Sequence, residues 1–374
     1  MPRAYTPGLR VTENTTLRKL RRLPLPGKVQ VKVGDRVQAT DVVAATELPG
    51  NVTAVNVARE MNCQPNEVPR HMVKRVGERV LIGEILAESK SFFGVFHQFA
   101  RSSLEGTVEA ISEVTGQVLL RGQPKPVNLE AYVDGTVVEV QGEEGVVIEC
   151  PCALVQGIFG LGGEAYGELK MLCHAPDEPL TAASLDESCA GKVVVGGCTA
   201  SLEALRRALA VEAAAVVVGG VTDSDVDELL GYHLGVAVTG HENLGLALVI
   251  TEGFGSLPMA ERSFHLLAAR EGQRASVNGA TQIRAGVIRP EVIVPHPRER
   301  QQASETTPGD SQLEVGSAIR LIREPYFGML ATVTSLPEEL RGIETESKVR
   351  VLVATLPDGQ EVTVPRANVE LIEQ

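Results

Sequence analysis

The chain has 374 residues, too many for one ordinary domain, and 43% of them are hydrophobic, which is enough for real cores. Aromatic residues make up only 3%, so those cores should be packed mainly with aliphatic side chains. The net charge of −13 argues against broad binding to a nucleic-acid backbone, because that binding requires Lys and Arg to displace counterions. The polar N-terminus lacks a secretory signal and no apolar run approaches the roughly 20 residues that cross a bilayer, so we expect a cytoplasmic protein.

Residues 1–23 form a basic leader, with cations clustered between Arg10 and Arg22. Such a segment could contact an acidic partner. A solvated arm lying on the acidic body of the same chain is the simpler interpretation.

From Pro24 onward, short predicted strands alternate with Gly-Asp and Gly-Glu turns. The phrases VGDRV at 33–37 and VGERV at 76–80 are near copies, and each leads into a second turn and strand. A further pair of related phrases lies at 104–111 and 133–140. Regular short strands separated by turns predict a sandwich or barrel.

These phrases resemble the barrel-sandwich hybrid of biotinyl and lipoyl carrier domains, in particular the non-carrier form in ion-translocating quinone reductase and electron-transfer complexes. The resemblance covers about residues 24–166 and implies this fold for a domain at 24–170. A carrier needs a lysine at a hairpin tip, flanked as Met-Lys or Asp-Lys. The first candidate tip is Glu-Leu-Pro-Gly at 47–50, and Lys90 lies between two serines. We therefore expect no biotin or lipoyl group.

Two motifs near the end of this domain have structural interpretations. The Gly-rich segment 156–168 could form a phosphate nest, but no strand–helix pair surrounds it as the dinucleotide fingerprint requires. The Cys-Pro-Cys at 150–152, with Cys173, lacks the paired Cys-x-x-Cys spacing of zinc sites, so buried inert thiols are favoured. We predict no metal and no cofactor.

A Pro- and Asp-rich linker at 174–188 leads into a second predicted domain at 186–297. Apolar runs at 192–197 and 214–220 read as buried strands that end in Gly pairs, and helical patterns follow them. Strands that alternate with helices predict an α/β domain with a parallel sheet and right-handed crossovers.

The stretch 239–272 is the centre of this domain. A short apolar strand at 244–250 runs into the polar loop TEGFG at 251–255, and Pro258 then opens an amphipathic helix that Gly272 ends. Open α/β sheets bind ligands at the carboxyl ends of their strands, so this loop is a candidate site.

The candidate ligand-binding residues are polar groups expected at that edge: His241, Glu242, Glu252, Asn278, Thr281, Gln282 and Arg284. One hypothesis makes His241 a general base oriented by Glu242 or Glu252, with Arg284 holding an anionic group. The alternative is that these groups hydrogen-bond to loop backbones and clamp the domain to the β domain. Because no activated nucleophile and no metal spacing accompany them, we favour the clamp and assign no catalytic residue.

A polar linker at 298–312 tethers a last module at 313–374. Its segments VG, IRLI, PYFG and ATV between 315 and 333 resemble the KOW motif of NusG-type transcription factors and related ribosomal proteins, which implies an SH3-like barrel. Ala331 stands where that motif usually has Gly. Acidic residues outnumber basic ones here, which favours protein contact over RNA.

The sequence therefore predicts a multidomain protein of α/β plus all-β class, and two functions remain open. The first is a non-enzymatic cytoplasmic adaptor or scaffold of a macromolecular assembly, with a protein partner, or more weakly RNA, RNA polymerase or the ribosome. The alternative is a small-anion-binding or catalytic protein that uses the α/β cleft. The sequence does not decide the partner or the oligomeric state.

Overall fold

A computed structural model of the chain describes residues 9–90, 97–232, 244–281, 288–296, 313–321, 326, 329–337, 340–342 and 348–371. The protein is mostly β, with several sheets and few helices. Among the described residues, no helix is long and apolar enough to span a membrane.

The elements follow one another in three groups. The first group comprises β1 (Val11–Arg22), β2 (Lys28–Val29), β3 (Arg36–Val37), β4 (Val42–Leu48), β5 (Val52–Asn56), α1 (Val57–Glu60), α2 (Val68–His71), β6 (Arg79–Val80), β7 (Ile85–Lys90), β8 (His97–Arg101), β9 (Gly106–Ile111), β10 (Gln117–Gly122), β11 (Lys125–Glu130) and β12 (Gly135–Gln141). The second comprises β13 (Gly145–Gln156), β14 (Phe159–Leu161), β15 (Glu164–Met171), β16 (Val193–Val195), α3 (Leu202–Ala210), β17 (Ala215–Val221), α4 (Asp223–Leu230), β18 (Ala247–Phe254), α5 (Glu261–Ala268), β19 (Arg274–Asn278) and β20 (Glu291–Pro295). The third comprises β21 (Ala318–Leu321), β22 (Leu330–Ser335), β23 (Leu340–Gly342), β24 (Lys348–Thr355), β25 (Glu361–Pro365) and β26 (Val369–Leu371).

An 11-stranded mixed sheet dominates the molecule, in the order β14-β18-β17-β16-β15-β19-β20-β13-β12-β3, with β1 paired to β13. Strands β15 to β18 are parallel, which confirms the predicted parallel strands as a segment of this larger sheet. The sheet runs without a break from β12 to β18, so strands on both sides of the predicted linker at 174–188 share it.

The two faces of the sheet bury different cores, because side chains alternate along a strand. Val155 and Val292 point into the core shared with the helices. Their neighbours Leu154 and Ile293 point into a second core, shared with β12 and the short strands of the first group. Ser201 caps α3, because its Oγ accepts the N–H of Ala204 at 3.2 Å.

Much of the basic leader is strand β1, paired with β13 from Val11 to Arg22, rather than a solvated arm. Leu17 packs against the second core, and alternate residues beyond it carry cations toward the same face. Those cations form ion pairs with buried or half-buried carboxylates: Lys19 pairs with Glu291, and Arg21 pairs with Glu164. The charge therefore serves pairing within the chain.

The two related phrases adopt the same structure twice. Gly34 and Gly77 have φ of +92° and +90°, and their N–H groups donate to the carbonyls of Val137 and Val108, both at 2.8 Å. We call residues 28–48 with 125–141 the first copy, and the described residues of 72–111 the second copy. The second copy lies inside the first, between β4 and β11, and residues of its segment form a core of their own.

The C-terminal module is a curled antiparallel half-barrel around its own core. The Asp-Gly at 358–359, a dipeptide typical of tight hairpins, forms the turn between β24 and β25, with Gly359 at φ +85°. Ala331 of β22 is buried in that core.

Candidate functional site

The carboxyl edge of the parallel strands is closed by the chain itself. A Cβ added at Gly197 would lie 2.3 Å from the carbonyl of Glu178, and one added at Gly219 would lie 2.1 Å from the carbonyl of Leu257. Real side chains do not tolerate such distances. Glycine at these two positions, the first after β16 and the second within β17, therefore lets two loops approach the sheet. Close backbone packing explains the Gly pairs.

Glu252 is the candidate residue with the most defined environment. Its Oε1 accepts the N–H of Ala260, at the start of α5, at 3.0 Å. Its Oε2 accepts a hydrogen bond from Nη2 of Arg320 in β21, at 2.5 Å. The Arg320 side chain is 2% exposed and that of Glu252 13%. Both carboxylate oxygens are therefore committed to the chain's own structure.

Thr281 and Asn278 are committed in the same way. The buried Thr281 hydroxyl accepts the N–H of Gly160 at 2.8 Å and donates to the carbonyl of Gly160 at 3.0 Å. It thereby holds β14, which pairs with β18, to the end of β19. Asn278 accepts the N–H of Ala280 at 2.8 Å and shapes the turn that carries Thr281.

The other candidate residues, His241, Glu242, Gln282 and Arg284, lie outside the described residues. Their proposed roles as base, orienting group and anion holder stay predictions. The three described candidates do not share one site: Glu252 binds the half-barrel, whereas Thr281 and Asn278 act at β14 and β19.

A polar cluster on the other face of the sheet was not predicted. Lys19 Nζ donates to both oxygens of buried Glu291, at 2.5 and 2.7 Å, and the Tyr132 hydroxyl donates to Oε1 at 3.2 Å. Arg21 forms a bidentate pair with Glu164 at 2.5 and 2.8 Å and lies 5.3 Å from the Tyr132 ring centroid. Burial raises the pKa of Tyr132 well above its usual value, and the negative charges of Glu291 and Glu164 raise it further. The hydroxyl therefore stays protonated and donates.

Tyr132 has φ of +70°, a strained conformation for a bulky residue. The strain is held by the hydrogen bond from its N–H to the carbonyl of Ala39 and by the buried contact with Glu291. Each charged side chain in this cluster pairs with one of opposite charge, and these pairs join β1 and the first copy to the sheet. The sequence signal for this cluster was a charged residue, Glu291, at the start of the apolar run EVIVP.

The cysteines behave as the buried thiols that the sequence favours. Cys150, Cys152 and Cys173 are buried, and burial raises the pKa of Cys173 to about 11. Within the described residues no group of three or more His, Cys, Asp or Glu side chains is placed to hold a metal.

A cavity of about 370 Å³ lies at the opposite edge of the parallel strands from the predicted site. One wall is the first copy, with Gln38 to Thr40 and Asp134, and the other is the sheet. On the sheet side the walls include Lys192, directly before β16, and Arg274 and Ser276 of β19. No sequence signal could have located it, because six separate stretches of the chain line it.

The chain matches no protein-family model and no curated protein. Its function is therefore inferred from contacts, burial and charge. The carboxyl edge is occupied by the chain's own loops and by Arg320. Two other surfaces are candidates for binding: the exposed turn of the second copy, and the cavity.

Proposed function

We propose that this protein is a non-enzymatic adaptor of a cytoplasmic macromolecular assembly, in which the second copy and the C-terminal half-barrel present surfaces to protein partners. The finer resemblances belong to this proposal: a barrel-sandwich hybrid for the two copies and a KOW-type SH3-like barrel for the half-barrel. RNA polymerase and the ribosome are among the assemblies that the KOW resemblance suggests.

The observation that carries the proposal is a comparison of the same turn in the two copies. In the first copy the N–H of Gln38 donates to Asp41 Oδ2 at 2.7 Å, and in the second the N–H of Leu81 donates to Glu84 Oε2 at 2.8 Å. The turns are thus equivalent. Ala39, in the first, is 9% exposed, whereas its counterpart Ile82 is 72% exposed.

The first-copy turn faces the central sheet, and the second-copy turn has no such cover within the described chain. Leu81 beside it is 55% exposed, and Val73 and Val76 are exposed as well. Lys74 bonds Glu84 at 2.5 Å, so residues 73–76 lie along the turn. We call residues 73–76 with 81–84 the exposed corner. An apolar corner of this kind is typical of a protein-contact surface.

The described candidate residues support an adaptor more than a small-anion site at the carboxyl edge. Glu252, Thr281 and Asn278 all form hydrogen bonds within the chain itself. The half-buried Lys74–Glu84 pair and the exposed Arg75 give the corner a polar rim of both signs, as protein interfaces have.

The proposal is tested by affinity purification of the tagged full chain from cells that express it naturally, with quantitative mass spectrometry. Ile82→Asp places a charge in the exposed corner and should remove the specific partner proteins. The matched control is Val114→Asp, at an 88% exposed valine in the turn between β9 and β10, which should retain them. Identical partner sets for Ile82→Asp and wild type, or no specific partner of the wild type, would refute the adaptor role.

A further inference from the structure

The cavity between the first copy and the central sheet has the size of a small-molecule site. Its volume of about 370 Å³ lies in the range of about 300–1,000 Å³ typical of ligand pockets. It lies where two modules meet, another common position for such sites. Gly167 and Gly191 form part of its wall, and a Cβ at Gly167 would lie 2.2 Å from the carbonyl of Gly191, so the chain approaches closely here.

Ser276 of β19 lines this cavity on the sheet side and is 2% exposed. A serine hydroxyl can donate one hydrogen bond and accept others, so Ser276 can serve a polar ligand in the cavity.

The walls carry two cations and two anions, Lys192 and Arg274 with Asp134 and Glu168. Lys192 forms an ion pair with Glu168 and is the main cause of the lowered pKa of that carboxylate. Arg274 is the register partner of Glu168 on the neighbouring strand, and its charge lowers that pKa further. Asp134 uses Oδ1 to accept the N–H of Ala39 at 2.7 Å, and its carboxylate lies on the other wall.

From these groups we infer that the cavity binds a small zwitterion of the amino-acid class. Its carboxylate pairs with Arg274 on the sheet wall, its ammonium with Asp134 on the first-copy wall, and Ser276 supplies a further hydrogen bond. Arg fits a carboxylate because its planar donors match the two oxygens. A phosphate dianion meets repulsion from Asp134 and Glu168, and an apolar ligand leaves four charged groups desolvated.

The test uses the full chain and four probes, glycine, L-alanine, L-serine and L-glutamine, in thermal-shift and calorimetric titrations. At least one should raise Tm and bind saturably. Its N-acetylated and amidated analogues, each with one charge removed, and inorganic phosphate should bind at least about tenfold more weakly, because each leaves a wall charge unpaired.

Two variants assign the binding to this cavity. Arg274→Gln and Ser276→Ala should each weaken binding, the first by about tenfold or more. Arg262→Gln, at an exposed arginine of α5, is the matched control and should bind as wild type does. The inference is overturned if no amino acid raises Tm, if a single-charge analogue or phosphate binds equally well, or if Arg274→Gln binds as tightly as wild type. None of these residues belongs to the exposed corner, so the result is independent of the adaptor role.

Discussion

Arg320 and Glu252 join the C-terminal half-barrel to the central sheet through an ion pair with an Nη2–Oε2 distance of 2.5 Å. Arg320 lies in β21, and Glu252 lies near the end of β18. The arginine is 2% exposed, so this contact holds the half-barrel against the edge at which an α/β sheet would otherwise offer a ligand site. The pair joins the central sheet to the half-barrel, whereas the sequence favoured a clamp to the N-terminal β domain.

Breaking that pair should be costly. Arg320→Met leaves the Glu252 carboxylate without its buried cation, and we expect a loss of about 3–5 kcal/mol in the free energy of unfolding, measured by urea denaturation. Glu252→Gln in the same chain should restore part of that loss, because no charge is then left unpaired.

The control is an exposed pair, Arg22 with Glu144, whose side chains are 61% and 48% exposed. Arg22→Ala should cost less than about 1 kcal/mol. If Arg320→Met costs no more than Arg22→Ala, the Arg320–Glu252 pair has no energetic role.

Limited proteolysis tests the same contact by another route. The polar composition of 298–312 predicts that a protease cuts there first and produces a fragment of the half-barrel. Because Arg320 is buried against Glu252, the fragment should stay bound to the rest of the chain in size-exclusion chromatography.

The comparison is the Arg320→Met chain treated in the same way. Its half-barrel fragment should elute separately. Separate elution of the wild-type fragment as well would show that the covalent linker alone holds the module.

Tyr166 gives the protein a pH dependence in the alkaline range. Its hydroxyl donates to Glu130 Oε2 at 2.6 Å, and this bond, with partial burial, raises the pKa of Tyr166 from about 10 to about 12. A raised pKa means that the folded chain keeps a proton that the unfolded chain loses. The stabilisation is therefore complete below about pH 10 and disappears as the pH rises to about 12.

Tyr166→Phe should make the free energy of unfolding fall less steeply across this range, measured by urea denaturation at several pH values. Tyr232→Phe, at an exposed tyrosine after α4, is the matched control and should leave the slope unchanged. Equal slopes for Tyr166→Phe and wild type would mean that Glu130 does not hold this hydroxyl in solution.

Local patterns predicted the parts of the fold that local chemistry decides. The alternation of apolar strands and helices predicted the parallel segment, and the near copies VGDRV and VGERV predicted two equivalent turns, which Gly34 and Gly77 form with almost equal φ. The Asp-Gly at 358–359 predicted a hairpin. In each case the residues that determine the element lie within it.

Features that depend on distant partners could not be predicted. Lys19 reads as a solvated cation until Glu291, 272 residues away, is placed beside it. Glu252 reads as a site residue until Arg320 is placed against it. The cavity likewise brings the first copy together with β15, the segment before β16, β19 and β20, and no single segment carries its pattern.

The placement of the second copy inside the first has a consequence for how the chain folds. β4 and β11 pair Leu48 with Lys125, so their ladder closes a loop that contains the whole segment 49–124. Closing a loop costs more conformational entropy as its flexible length grows. The inserted segment has its own core of nearby residues, and local contacts form fastest. We therefore expect it to fold first and to shorten the loop, so that the outer copy assembles around a finished inner one.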